Sequence, residues 1–220
     1  MSKVFDAELD TLKRKLLTMG AMAEKMVRDT TAMLIERDLA RFDPVAQAEE
    51  GMDALQREID EDTVRLIGIF TPVAADLRGL LMTTRIAAEL ERIADKTVDI
   101  GFYAKTLFKE PPLKPLIDIP RMAEIAAAML KDVLDAYTER SAEKALEVIQ
   151  TDDDVDDLND QLFRELMTHV QGDVKAVNRV LELVLIARSY ERIGDHAVNI
   201  AEDVVYMVRG QDIRHLKSGI

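Results

Sequence analysis

Cysteine is absent from the 220 residues, which excludes disulfides, thiolate metal sites and cysteine nucleophiles and fits a cytosolic address. Tryptophan is absent too, and aromatic residues make up only 5% of a chain that is 48% hydrophobic. Small aliphatics and eleven methionines must therefore fill the core, a composition typical of helical bundles. Bases are the minority charge, 29 against 42 acids, and the resulting −13 repels nucleic-acid phosphate and anionic lipid while favouring cations and basic protein surfaces. No apolar run approaches the ~18 residues that a membrane-spanning helix needs, and the opening Met-Ser-Lys-Val-Phe-Asp-Ala-Glu has no apolar signal region, so a soluble cytoplasmic protein is expected. Also missing are a Gly-rich phosphate loop, a nucleophile elbow, a His-x-x-x-His pair and a Ser-His-Asp arrangement, so the expectation is that the chain is not an enzyme.

What is present is a duplication. Glu91-Arg-Ile-Ala-Asp95-Lys-Thr-Val-Asp99-Ile100 returns as Glu191-Arg-Ile-Gly-Asp195-His-Ala-Val-Asn199-Ile200, each partner found by adding 100. Ile86-Ala87 recurs as Ile186-Ala187, and about half of positions 86–100 are identical to their partners. A period this long implies two copies of a whole bundle rather than a solenoid of short units. Four of the six prolines fall in Lys109–Pro120, at the middle of the chain, which marks a non-helical linker. The expected organisation is a first bundle at residues 1–110, a linker at 111–119 and a second bundle at 120–220.

Each half carries three amphipathic helical patterns. Leu9, Leu12, Leu16, Met19 and Met26 give the three-four spacing of a helix from Phe5 to about Arg37. Asp43-Pro44 reads as an N-cap with a first-turn proline, opening a helix through Met52, Leu55, Ile59 and Leu66 that Thr71-Pro72 stops. Thr71 is then the expected cap of a third helix, whose apolar face runs Leu77, Leu80, Ile86, Leu90, Ile93, Ile100 and Ala104. The second half predicts helices from Arg121 to Glu139, from Ser141 to about Val170, and from Asp173 to Val208. No period-two alternation or hairpin signal competes, so the fold class is all-α, two tandem three-helix bundles related by an internal repeat.

The chemistry lies in the acids. Residues four apart on a helix stack with a rotation of about 40° and a rise of about 6 Å, so Glu91, Asp95 and Asp99 form a spiralling carboxylate strip, and Glu191, Asp195, Asn199 and Asp203 form its twin. Phasing against Leu90 and Ile93 places the strips toward solvent. Stacked like charges repel, and a cation would offset the repulsion; oxygen-only ligands suit Mg, Ca, Mn or oxidised iron. Acids on the second helix of each half, Asp53 and Asp156 foremost, with Glu49, Asp60, Asp152, Asp153, Asp157 and Asp160 as neighbours, are candidates to join them. Solvated helix faces are the other reading of the same pattern. The run Thr151-Asp-Asp-Asp-Val-Asp-Asp is not an EF-hand, because it lacks the central glycine and has Phe163 where the bidentate glutamate belongs. His196 sits beside Asp195 as a ligand or proton-sensitive neighbour, whereas His169 and His215 lie near helix ends.

The paired Glu91-Arg-Ile-Ala-Asp95 and Glu191-Arg-Ile-Gly-Asp195-His196 motifs, the segment Thr71-Pro-Val-Ala-Ala-Asp-Leu-Arg78 and the opening Phe5-Asp-x-Glu8-Leu9 closely resemble the PhoU family, and the likeness runs over essentially the whole chain. The resemblance implies two tandem three-helix bundles in a cytoplasmic protein, often a homodimer. It also implies negative regulation of phosphate uptake and phosphate-starvation signalling, through a phosphate ABC transporter and a membrane sensor histidine kinase. Some members hold multinuclear clusters, described with iron, on the carboxylate motifs. Carried over by position, the ligands are Glu91, Asp95 and Asp99, and Glu191, Asp195 and Asn199. Asn199 departs from the acidic pattern and supplies only a neutral oxygen, so the second site would hold fewer or less charged ions. The leading function is a non-enzymatic signalling adaptor, and the alternative is a metal-binding or storage bundle without a regulatory partner. No organic cofactor is expected. A hydrolase on a carboxylate-bridged metal pair is third, since no general acid or phosphate cradle accompanies the acids.

Overall fold

The computed structural model describes residues 3–214, and among these the secondary structure is helical throughout, without a strand. Helices α1 (Lys3–Glu36), α2 (Phe42–Phe70) and α3 (Ala75–Leu107) form the first bundle; α4 (Asp118–Glu139), α5 (Ala142–Gly172) and α6 (Val177–Arg209) form the second. His215 lies outside the described residues.

The duplication reaches further than the motif. Along α3 and α6 partners differ by 100 in number, and along the first two helices of each bundle by 103. The stops of α1 and α4 show it. Arg37 and Arg140 both take a left-handed φ of 53°, and the next residues donate backward five positions, Asp38 N–H to the Met33 carbonyl at 3.1 Å and Ser141 N–H to the Ala136 carbonyl at 3.0 Å. Ser141 then caps α5 as expected, its hydroxyl accepting from the Lys144 N–H at 3.2 Å.

Four expected boundaries move. Asp38, not Asp43, does the capping before α2: its carboxylate accepts from the Ala40 N–H at 3.0 Å, and a short 3-10 turn at Leu39–Arg41 leads straight into the helix. Pro44 falls in the first turn, where its missing N–H would have had no partner. Thr71 does not cap α3. It ends α2 in the left-handed region (φ 43°), its N–H bonded to the Ile67 carbonyl, since the proline that follows disfavours the helical region; Ala74 precedes α3 with no side-chain cap. Asp173 caps a 3-10 turn at Val174–Ala176 by accepting from Lys175, and α6 begins only afterwards. Finally, α4 starts at Asp118, inside the stretch expected to be non-helical, with Pro120 tolerated in its first turn.

The apolar stripes merge into one core that runs through both bundles, with Leu16, Met52, Ile59, Ile86, Leu90, Leu130, Ile186 and Ile193 fully buried. The most extensive helix pair, α3 with α6, joins one bundle to the other. These two run antiparallel, since Arg85 faces Asp203 while Glu89 faces Asn199. Two buried tyrosines add polar ties across the seam: Tyr190 Oη to Thr31 Oγ1 at 2.9 Å and Tyr137 Oη to Thr83 Oγ1 at 3.1 Å. The strip-bearing helices are thus held at the centre of the molecule, with α2 packed on α3 and α5 packed on α6.

Candidate functional site

On the first bundle Glu49 and Asp53 of α2 meet Glu91 and Asp95 of α3. Burial lifts Glu49 above the ordinary carboxylate range, and the charges of Asp53 and Asp95 lift it further. Burial likewise raises Glu91, with Asp95, Asp53 and Glu49 adding to it, and raises Asp95, where Asp99 and Asp53 add and Lys96 opposes. Burial and the neighbouring like charges thus raise Glu49, Glu91 and Asp95 together.

The second bundle repeats the arrangement with Asp152 and Asp156 of α5 and Glu191 and Asp195 of α6. The effect is stronger here. Burial first, then Asp156 and Asp195, push Asp152 up to about 7. Its carboxylate lies against Gly194, where a Cβ would come within 3.3 Å of Asp152 Oδ1; the first motif has Ala94 at that point. Glu191 Oε2 is buried with no hydrogen-bond partner.

The far ends of the strips go elsewhere. Forty degrees of rotation per step turns the third position of the second strip toward the opposite bundle. Asp99 is held by Lys96 of its own helix, Nζ to Oδ2 at 2.6 Å. Asn199 crosses the seam and donates from Nδ2 to Glu89 Oε2 at 3.0 Å, and His196 Nδ1 sits 2.8 Å from the same oxygen. Asp203 is not solvent-facing as the phasing implied: it is 1% exposed, with Oδ1 3.2 Å from Arg85 Nη2 and neither oxygen accepting a hydrogen bond. Burial pushes it up to about 6 in spite of Arg85.

Glu89 is the residue sequence reasoning missed. Burial disfavours its charge, but hydrogen bonds from His196 and Asn199, with Arg92 nearby, outweigh that and hold it below the usual glutamate range. Its counterpart is Ser189, so the repeat did not flag it. The available signal was its position, three after Ile86 and four before Ile93, which puts an acid on the buried stripe.

Each face offers four carboxylates, the chemistry of a hard-cation site, with the Met129 sulfur beside Gly194 at the second face and His196 close enough to act on Asp95 at the first. The orphaned Glu191 oxygen and the mutual elevation of the acids fit an added positive charge. Among the described residues no three acidic or histidine side chains already converge into a preformed coordination shell. Of the other second-helix acids, Asp60 is raised by burial alone.

Fold and faces together define an all-α, tandem-bundle class of protein built on paired carboxylate motifs. A family model, the PhoU domain, matches residues 16–104 and again 119–204, once per bundle. The chain is 36% identical over 217 residues to a phosphate-specific transport system accessory protein PhoU homolog of Pseudomonas putida, covering 98% of this chain and 85% of that one. It is 33% identical over 216 residues to the Escherichia coli K12 phosphate-specific transport system accessory protein PhoU, covering 98% and 90%. The crystal structure of PhoU from Pseudomonas aeruginosa superposes with a TM-score of 0.91 at 36% identity, over 94% of this chain and 100% of that one. The chain belongs to the PhoU family.

Proposed function

We propose that this protein acts in phosphate transport as a non-enzymatic cytoplasmic adaptor. It docks on a phosphate ABC transporter and its sensor histidine kinase and represses the starvation response while phosphate is plentiful. The single observation that supports this reading best is the match of the PhoU domain to both bundles, with relatives named as accessory proteins of phosphate-specific transport over nearly the whole chain. The residues agree with it. Among the described residues no helix is long and apolar enough to cross a membrane, and the −13 charge opposes direct action on DNA, so an effect on uptake or transcription passes through other proteins. Association into a homodimer belongs to the same reading.

Deletion of the gene, followed by a reporter of phosphate-starvation transcription in high phosphate, tests it. Derepression is the expected result; a fully repressed reporter, in a strain with no second copy, overturns the assignment.

The carboxylate faces favour a second element. Glu49, Asp53, Glu91 and Asp95 on one bundle, and Asp152, Asp156, Glu191 and Asp195 on the other, hold hard metal ions such as iron, manganese, magnesium or calcium. The bound ion would supply positive charge that relieves the stacked acids. Elemental analysis of protein purified without chelators is the check: Asp95→Ala with Asp195→Ala should carry less metal than wild type. Equal metal in both, or none in either, leaves the faces as protein-docking or solvated surfaces.

A further inference from the structure

The duplication also gives the molecule a pair of equivalent cavities, one toward each end of the α3–α6 pair, between the bundles. The smaller, about 200 Å³, is lined by Leu34, Arg37, Leu107 and Leu183 together with linker residues such as Pro112 and Leu116. The larger, about 270 Å³, is lined by the counterparts Tyr137, Arg140, Met207 and Thr83. The small one is mostly apolar, with Arg37 and Lys114 its charged lining residues, and the large one is mostly polar. Since the fold accepts leucine at both hydroxyl positions in the first case, the hydroxyls of the second are not a structural requirement.

Beside the apolar cavity an internal cation is already in place. Arg179 lies against the linker with Nε 3.3 Å from the Glu110 carboxylate and Nη1 donating to the Pro111 carbonyl at 3.4 Å, and only 15% of its side chain is exposed. Its counterpart is Gly79, which lines the larger cavity and where a Cβ would meet nothing within 4 Å. A glycine inside a helix weakens it, and here no close approach demands one, so the space is left open without a packing reason.

The walls around that opening are acidic. Asp6, Asp10 and Asp76 line it, and none of the three makes an ion pair among the described residues. Two bases also line it, but Lys13 Nζ is turned to the Thr138 carbonyl at 3.1 Å, and the acids outnumber them. On the floor, Thr83 donates its hydroxyl proton to the Gly79 carbonyl at 2.9 Å, so Tyr137 donates to Thr83 Oγ1. Both protons are then used, and the pair presents only acceptor lone pairs to the cavity. Leu9, Leu80 and Met207 supply apolar wall.

We propose that this cavity binds a guanidinium group on a short aliphatic stem, the external equivalent of Arg179. The carboxylates take the charge, the Thr83–Tyr137 pair accepts an N–H, and the apolar wall takes the stem. Helices of both bundles line the cavity, so the ligand bridges them.

The test is calorimetric titration of the full-length protein with two probes, agmatine and N-acetyl-arginine-N-methylamide. One saturable site per chain is expected. Gly79→Arg, which installs an internal cation as position 179 does in the other half, should weaken binding by about tenfold or more with helicity and Tm undiminished. Should that variant fail to fold, Asp10→Asn at an exposed position with Asp76→Asn at a half-buried one should weaken binding to the same degree. Asp95→Ala with Asp195→Ala should bind the probes as wild type does, which separates this site from the metal faces. Binding of agmatine alone identifies a free alkylguanidine as the ligand; binding of the capped arginine identifies an arginine side chain of a partner. No saturable binding of either probe overturns the proposal, as does binding that survives Gly79→Arg but is lost with the strip variant.

Discussion

The two carboxylate faces descend from one motif and now differ in where their helices' remaining polar residues go. On the first bundle Asp99 closes back on Lys96 within α3, and the position matching Glu89 across the seam is Ser189, whose hydroxyl donates to the Leu185 carbonyl of its own helix. On the second bundle His196 and Asn199 reach out to Glu89, and Asp203 reaches Arg85. One copy is thus self-contained, while the other joins the bundles through buried polar groups. A duplicated helix needs only one side of each equivalent pair to become polar for the seam to gain register, and the other side is free to stay apolar or solvated.

The apolar half of the same divergence gives the largest expected effect. Gly101 is pressed by Phe42, so that a Cβ would lie 1.9 Å from the ring, and the ring also meets Phe102 edge-on at 5.3 Å and carries Lys105 Nζ 4.2 Å from its centroid. The matching pair in the second bundle is Ala201 with Ala145, both fully buried. Large against none has become small against small. Gly101→Ala should therefore cost about 2–3 kcal/mol by overpacking, and Ala201→Gly only about 1 kcal/mol through helix propensity, both measured by urea unfolding. Gly101→Ala combined with Phe42→Ala should be no less stable than Phe42→Ala alone; a fully additive loss would mean that the two positions do not share one volume.

Next in size is the seam. Removing Arg85 leaves Asp203 buried with its principal counter-charge gone, at a cost of about 2 kcal/mol at pH 8, less than a fully buried pair loses because Arg85 is 44% exposed. The sign follows from Asp203 being raised to about 6 from 3.8. Its charge penalty is absent below the unfolded value and grows as pH rises through the folded one. The loss in Arg85→Ala should accordingly shrink at pH 5. The counterpart pair, Leu185 and Tyr103, has no buried carboxylate, and Leu185→Ala should show equal losses at the two pH values.

How much of this was legible in sequence depends on whether a feature is local. Helix periodicity, the duplication, the Ser141 cap and the pairing of each strip with its second helix are set by spacing along the chain, and all are found in the structure. The fate of Asp203 and Asn199 was not legible, because 40° of drift per four residues decides burial only once the opposing helix is placed. Cap positions moved for a related reason. Asp43 and Thr71 carry the right side chains, but the neighbouring backbone turns, at 39–41 and 71–74, decide where helical geometry begins. The cavities could not be read at all, since the residues lining each come from different helices.

The smallest expected effect separates the two faces themselves. Asp152, raised to about 7 from 3.8, is protonated in the folded protein at a pH where the unfolded chain has already ionised. Its contribution therefore runs opposite to that of a salt-bridged aspartate: the fold is favoured below about pH 4, and the advantage is lost as pH climbs through 7. Asp152→Asn keeps the shape and removes the charge, so it should stabilise the metal-free protein by about 1 kcal/mol at pH 8, after discount for partial exposure to water, with the gain fading toward pH 5. Glu49→Gln on the first bundle should give a smaller gain of the same sign, since Glu49 is raised by the same causes but the burial there is slighter. Saturating Mn²⁺ should reverse the order, because an ion bound only to the folded state stabilises the wild type, and Asp152→Asn has lost one of its anionic ligands. Thermal unfolding at pH 5 and 8, with and without the ion, reads all of these shifts. Equal Tm for wild type and Asp152→Asn at pH 8 would show that the carboxylates of the second face are far enough apart, or wet enough, to ionise independently.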